Sequence, residues 1–226
     1  MPFEPSDLFF YFTALSILLS CYFIFSLYLI RKYLNINKDS EKKDYLPFTY
    51  AIAFIFFGVG RILMSIFDLI VEFQPSNRTL ENIVIWEIGT IFQILGYGLF
   101  FILMEKRVMK GRDKYILVIL YFVFYFIGIL LINTQMDTLF FTIALLLTIY
   151  IPFAYLYIAI KADGVVRKKG ITIFFGFLVL GIGLALLTET PLMIISSEFG
   201  LDYIQIHGIS NLIKSVGVCL LFIGYK

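Results

Sequence analysis

Residues 46–71 read LPFTYAIAFIFFGVGRILMSIFDLIV, and this stretch decides the fold class. Its only charged side chains are those of Arg61 and Asp68. A transmembrane helix needs about 20 mainly apolar residues, whereas a membrane β-strand needs about 10 residues that alternate in polarity. Because the stretch is long and does not alternate, we expect a membrane-spanning helix with two charges inside it.

Six more runs of this kind follow the same pattern. Hydrophobic residues make up 61% of the 226 residues and charged residues only 15%, against about 45–50% and 25% in soluble domains. We therefore predict an all-α integral membrane protein, one domain over 1–226, with seven transmembrane helices. The predicted helices cover 8–30, 46–71, 83–104, 115–132, 138–160, 171–195 and 204–224. The first run is too long for a signal-peptide core, so we expect it to be retained.

Basic residues predict the orientation of the chain. Fifteen of the 18 Lys and Arg residues fall in the first, third and fifth loops or at the C-terminus, whereas the opposite side carries Arg78 alone. Lys and Arg accumulate in cytoplasmic loops. We therefore expect a multi-pass protein of the cell membrane with an extracytoplasmic N-terminus and a cytoplasmic C-terminus.

The two halves of the chain resemble each other. When residues 46–105 are placed on residues 167–226 without gaps, 14 of 60 positions are identical, among them Gly60 with Gly181 and Gly96 with Gly217. We interpret this as a duplication of a three-helix unit. Repeat A covers about 7–105, repeat B about 137–226, and a linker helix at about 115–132 joins them, so that the repeats are parallel.

This 3+1+3 arrangement resembles the transporter–opsin group of seven-helix proteins, which includes SWEET and PQ-loop transporters and microbial rhodopsins. The resemblance rests on topology and repeat and not on a signature motif. In predicted helix 7, ISNLIKSVGVCLLFIGYK, the central Lys214 followed by Val216 and Gly217 looks like the retinal-linking segment of rhodopsins. The resemblance thus implies either solute transport or a retinal bound at Lys214; on the residues alone we expect no cofactor.

Polar side chains inside the spans are the candidate ligand-binding residues. Charges in a bilayer are costly and usually face the interior of a bundle. Arg61 and Asp68 are seven residues apart and share a helical face. In predicted helix 7, His207, Asn211 and Lys214 are spaced by four and three residues and also share one face. The predicted binding set is Arg61, Asp68, Glu87, Gln93, Glu189, His207, Asn211 and Lys214.

Several function classes find no support in the sequence. A single His and no Cys cluster argue against a zinc site, and Cys21 and Cys219 lie inside apolar runs, which indicates no disulfide framework. We identify no nucleotide-binding loop, no nucleophile motif and no nucleic-acid patch. We therefore expect no catalytic residue, no metal and no nucleic-acid partner.

Two functions stay open. We expect the candidate ligand-binding residues to line a charged cavity in the outer half of the bundle. This cavity and the duplication favour a small-solute transporter. The alternative is a receptor or sensor that binds a small ligand and signals to a cytoplasmic partner, with a retinal-binding protein as a special case. The bilayer is the expected environment, and we leave open whether the chain forms a homo-oligomer.

Overall fold

The computed structural model describes residues 4–38, 43–73, 79–107, 115–131 and 135–226. Parts of the predicted basic loops, residues 39–42 and 108–114, and the opposite-side Arg78 lie outside the described residues. Helices account for 89% of the structure, and the described residues form no strand. The helices are α1 (Pro5–Ile36), α2 (Leu46–Ile70), α3 (Leu80–Arg107), α4 (Ile116–Leu130), α5 (Gln135–Thr148), α6 (Tyr150–Lys161), α7 (Gly164–Ala185), α8 (Glu189–Phe199) and α9 (Tyr203–Tyr225).

The described residues contain six helical segments that are long and apolar enough to cross a bilayer. The fifth apolar run forms one such segment, Leu139–Lys161, in which α5 and α6 follow each other. The helix α4 is a seventh apolar helix and is shorter. By helix length and composition, the chain is a polytopic helical membrane protein, which confirms the predicted fold class at this level.

Helices that follow each other along the chain also pack against each other. The helix α1 contacts α2 and α9, α2 contacts α3, and α9 contacts α7, which contacts α6. The helix α4 contacts α3 and α5. The helices are therefore arranged in a ring, which closes where α1 packs against α9. We call the end where α1 and α9 begin the N-terminal end, and the end where α9 stops the C-terminal end.

The fifth span forms one spanning helix, Leu139–Lys161, as the sequence predicts. Its regular hydrogen bonding is interrupted at one residue, Ile149, whose φ of −60° and ψ of −25° stay helical. The helix α5 stops at Thr148 and α6 begins at Tyr150. Pro152 explains the interruption, because a proline has no N–H to donate to the carbonyl group four residues earlier and its ring clashes with that carbonyl. In this chain that carbonyl belongs to Thr148.

The sixth span differs from the prediction of 171–195 at both ends. The helix α7 begins at Gly164, so Arg167 to Lys169 lie in its first two turns and not in a loop. It stops at Ala185, and the separate short helix α8 begins at Glu189. Thr188 is extended at the N-cap of α8, and the following Glu-Thr-Pro puts an acid and a proline in the first helical turn. These are helix-start signals, which the apolar run conceals.

Aromatic side chains fill the half of the bundle toward the C-terminal end. Phe54 contacts Phe25 with ring centroids 4.5 Å apart, and Phe100 contacts Phe177 at 5.1 Å. All four rings are buried. Closer to the C-terminal end, the hydroxyl of Tyr155 hydrogen-bonds to those of Tyr50 (2.6 Å) and Tyr225 (2.5 Å). This half therefore has an aromatic core above a cluster of three tyrosine hydroxyls.

Candidate functional site

The candidate site begins with an ion pair within α2. Arg61 Nη2 lies 3.3 Å from Asp68 Oδ2, and the side chains are 5% and 14% exposed. Arg61 Nη2 also donates to the hydroxyl of Tyr11 on α1 at 3.4 Å. The seven-residue spacing brings the pair onto one face, two helical turns apart. The ion pair lies within α2, and the hydrogen bond from Arg61 to Tyr11 connects it to α1 near the N-terminal end.

Two residues of α9 complete the charged cluster. His207 Nδ1 lies 3.2 Å from Asp68 Oδ2, although the contact lacks hydrogen-bond geometry. Lys214, two turns further along α9, interacts electrostatically with Asp68 and with Arg61. The charged cluster, defined as Arg61, Asp68, His207 and Lys214, therefore places one described carboxylate among two basic side chains and an imidazole.

Lys214 is buried without a paired partner. Its residue is 3% exposed, and its ammonium forms no hydrogen bond or ion pair with any part of the chain that the structure describes. The side chain lines a small enclosed cavity of about 10 Å³, together with Arg61, Gln93 and Tyr97. This volume is at the lower limit for one water molecule, and Tyr22, Phe57, Leu180 and Leu184 also line the cavity. A larger acceptor group could enter only if one of the lining side chains moved.

Several buried polar atoms around the charged cluster lack hydrogen-bond partners among the described residues. They are Arg61 Nε, His207 Nδ1 and both amide atoms of Asn211. Buried polar atoms in native proteins are nearly always hydrogen-bonded to protein or water. A concentration of unpartnered polar atoms at one place is therefore typical of a site that takes water or a ligand.

An apolar layer covers the charged cluster at the N-terminal end. This N-terminal cap consists of Tyr11, Leu15, Phe73 and Ile204, all buried. The ring of Phe73 contacts those of Tyr11 and His207, at 4.9 and 5.2 Å between centroids. Glu72 and Phe73 have φ values of 52° and 58°, a left-handed conformation that costs an L-residue about 1–2 kcal/mol. The cap is thus built at the expense of backbone strain.

The remaining predicted site residues have different positions. Gln93 lines the cavity beside Lys214 and donates to Met64 Sδ at 3.1 Å. Asn211 is fully buried on the same stripe of α9 as His207 and Lys214. Glu87 is half-buried on α3 and makes no hydrogen bond or ion pair within the described structure. Glu189 is the first residue of α8, and its side chain lies outside the described structure.

Sequence reasoning missed the uncharged residues that enclose the charged cluster. Tyr11 and Phe73 cover it, and Tyr22 and Tyr97 line the cavity beside Lys214. With 15 Tyr and 26 Phe in the chain, no local signal separates these rings from lipid-facing ones. Only their burial and their contacts with charged side chains identify them.

An apolar groove lies next to the polar cavity. It runs between the fifth span and α7, has a volume of about 360 Å³, and is open on one side. Tyr97, Leu180 and Leu184 line both the groove and the cavity. On the outer side, Phe153, Leu178 and Ile182 are exposed. The groove therefore faces the lipid on one side and the pocket of Lys214 on the other.

The charged cluster offers basic side chains and unpartnered polar atoms for binding a ligand. No group of three or more metal-ligating residues occurs in the described parts of the chain. Basic groups beside a polar pocket favour an anionic or hydrogen-bond-accepting ligand. Searches with protein-family models, among curated proteins and among solved structures found no match to this chain.

Proposed function

We propose that this chain is a seven-helix membrane receptor that binds a small anionic ligand at the charged cluster, with Lys214 as the cation that contacts it. The observation that carries the proposal is the position of Lys214, a buried basic side chain that lacks a partner among the described residues and lies at a polar cavity. An anionic ligand would supply the charge-assisted hydrogen bonds that the described protein groups do not.

The packing of the opposite half supports a receptor. A transported solute needs a polar path to both ends of the bundle. Here the aromatic core and the hydroxyl cluster of Tyr50, Tyr155 and Tyr225 fill the half toward the C-terminal end. A ligand bound at the charged cluster contacts α2 and α9, and both helices reach that end. We therefore infer that binding is transmitted through these helices to a cytoplasmic partner.

The transporter stays as a second candidate because of the interruption at Ile149 in the fifth span. Discontinuous helices near the middle of a bilayer are common at transporter binding sites. Ile149 also forms part of the wall of the groove beside the pocket of Lys214.

The orientation and the duplication belong to the same proposal. Described basic residues at the C-terminal end include Arg31, Lys32 and Lys226, which supports a cytoplasmic C-terminus. The equivalent glycines Gly96 and Gly217 both face the middle spanning helix of their half: a Cβ on Gly96 would touch Phe57 of α2, and one on Gly217 would touch Leu180 of α7. This shared position supports two parallel three-helix repeats.

Ligand binding can be tested on the purified chain in nanodiscs. Butanoate is a suitable small carboxylate probe, and its effect on the thermal unfolding midpoint reports binding. We expect butanoate to stabilise the wild type and to have no effect on Lys214→Met. Equal stabilisation of both proteins would exclude Lys214 as the ligand cation.

Two further measurements separate the alternatives. Uptake of labelled butanoate by proteoliposomes that contain the chain would support the transporter, whereas binding without uptake supports the receptor. Addition of retinal tests the opsin-like variant, because a Schiff base at Lys214 gives a visible absorption band that Lys214→Arg cannot form. If the wild type stays colourless with retinal, that variant is excluded.

A further inference from the structure

We propose that the ligand is a membrane-dissolved amphiphile with one hydrocarbon chain and a carboxylate head, and that it enters sideways between α6 and α7. This inference rests on the proposed function, since it uses the pocket of Lys214 for the head. It adds the apolar groove as the site of the chain and the lipid as the route of entry.

The groove has the size and the lining of a hydrocarbon site. Its volume of about 360 Å³ lies in the range of small-molecule pockets, which is about 300–1,000 Å³. Its wall is almost wholly apolar, with Leu145, Ile149 and Pro152 on the fifth span and Phe174 and Phe177 on α7. A hydrocarbon chain fits these surroundings, whereas a water-soluble ion does not.

Gly181 lines the groove at an exposed position of α7. A Cβ atom placed on this residue would meet no atom within 4 Å, although Gly181 lies within α7, where alanine would favour the helix by about 0.5–1 kcal/mol. Other glycines of α7 differ, because a Cβ on Gly176 or Gly183 would collide with α9 at 2.8 and 2.7 Å. Close helix packing thus accounts for Gly176 and Gly183, while the free space beside Gly181 belongs to the groove.

The shared wall connects the hydrocarbon site to the charged cluster. Tyr97, Leu180 and Leu184 separate the groove from the cavity that Lys214 and Arg61 line. Rotation of Leu184, the least buried of the three side chains, would join the two spaces. A head group at the inner end of the groove then reaches two basic side chains that have one described carboxylate between them. Charge complementarity therefore selects an anionic head.

The lipid-facing surface provides the entrance. Phe153 on α6 and Leu178 and Ile182 on α7 are 55%, 39% and 48% exposed. These side chains border the open side of the groove. A ligand that partitions into the bilayer can pass between them, and it need not cross the N-terminal cap of Tyr11 and Phe73.

Photolabelling tests this proposal on the chain in phosphatidylcholine nanodiscs. The probe is dodecanoate with a terminal diazirine, and a dodecylamine with the same tail is the matched control for the head. We expect dodecanoate to label peptides from 145–153 and 174–185, in competition with unlabelled dodecanoate. The amine should label them at least about tenfold less at equal concentration, a difference of about 1.4 kcal/mol in binding. Equal labelling by the two probes would overturn the anionic head.

Three variants separate this inference from the proposed function. Gly181→Leu fills the groove, and we expect about tenfold less labelling; Lys214→Met should reduce labelling equally. Ser16→Leu places the same side chain at an exposed position of α1 and should leave labelling unchanged. Loss in Lys214→Met alone would overturn the groove and retain the proposed function. Loss in Gly181→Leu alone would overturn the role of Lys214 in both.

Discussion

The side chain of Lys214 on α9 packs against Gly183 on α7, and a Cβ atom placed on Gly183 would lie only 2.7 Å from Lys214 Cγ. At the same place, the hydroxyl of Ser210 donates to the carbonyl of Gly183 at 2.6 Å. The stem of the lysine is thus held between two helices that approach closely. This contact fixes where the ammonium group enters the bundle.

We expect Gly183→Ala to destabilise the protein. The new methyl group would also lie 3.1 Å from the carbonyl oxygen of Ser210, so the helices must separate or Lys214 must change rotamer. Overpacking of this kind costs about 1–3 kcal/mol. Thermal unfolding in detergent micelles measures the effect. Gly181→Ala is the matched control on the same helix and should be neutral or stabilising, because its Cβ meets nothing.

Asp68 and Lys214 should respond differently to neutralisation. Asp68→Asn leaves Arg61 buried with no carboxylate from α2, and loss of one member of a buried ion pair costs about 3–5 kcal/mol. Lys214→Met removes a buried amine that has no partner among the described residues, so we expect little loss or a gain in stability. Unfolding midpoints of the two single variants test this order.

The double variant Asp68→Asn/Lys214→Met tests whether the effects of the two substitutions are coupled. Because Lys214 interacts with both Arg61 and Asp68, its removal should reduce the cost of Asp68→Asn, so the two effects are not additive. Additive effects would show that Lys214 does not belong to the charged cluster.

The helix content and the Arg61–Asp68 contact can be predicted from the sequence, because each depends on a pattern within a single segment. Long apolar runs predict the membrane helices, and a spacing of seven residues brings two side chains onto one face. The interruption before Pro152 and the start of α8 at Thr188 could also have been read from local signals. Hydropathy alone does not show them, because both lie within apolar runs.

Contacts between distant segments could not be predicted in the same way. The position of Phe73 over His207 depends on two left-handed residues in succession, Glu72 and Phe73. No residue type at these positions indicates that conformation, since neither is Gly or Asn. The apolar groove depends equally on how α6 packs against α7, and only tertiary structure shows it.

A third prediction concerns Phe73, which has a left-handed backbone conformation and covers the charged cluster. Phe73→Ala should open the N-terminal cap and expose Ser65, which is 3% exposed beside Arg61. A Ser65→Cys reporter, with Cys21 and Cys219 replaced by Ala, should react with a charged methanethiosulfonate much faster when Phe73 is absent. Equal reaction rates with and without Phe73 would show that the ring does not cover the cluster.

Glu72→Gly tests the strain itself. A glycine adopts positive φ without the steric penalty of an L-residue, so we expect this variant to raise the free energy of unfolding by up to about 1 kcal/mol. Glu72 is exposed, and loss of its side chain removes no buried contact. A free energy of unfolding lower than that of the wild type would show that the positive φ of Glu72 does not destabilise the protein.

Cys21 on α1 and Cys219 on α9 provide a direct test of the contact that closes the ring. Their sulfur atoms lie 3.8 Å apart, and a disulfide requires an approach to about 2.05 Å. Treatment with iodine should join them: the two thiols lose two protons and two electrons, and iodine is reduced to iodide. Intact-mass analysis should show a monomer that has lost two hydrogen atoms, and its unfolding midpoint should rise because the bond closes a long loop. Cys21→Ala is the control and should show no such change. A product that consists only of dimers linked between chains would contradict the packing of α1 against α9.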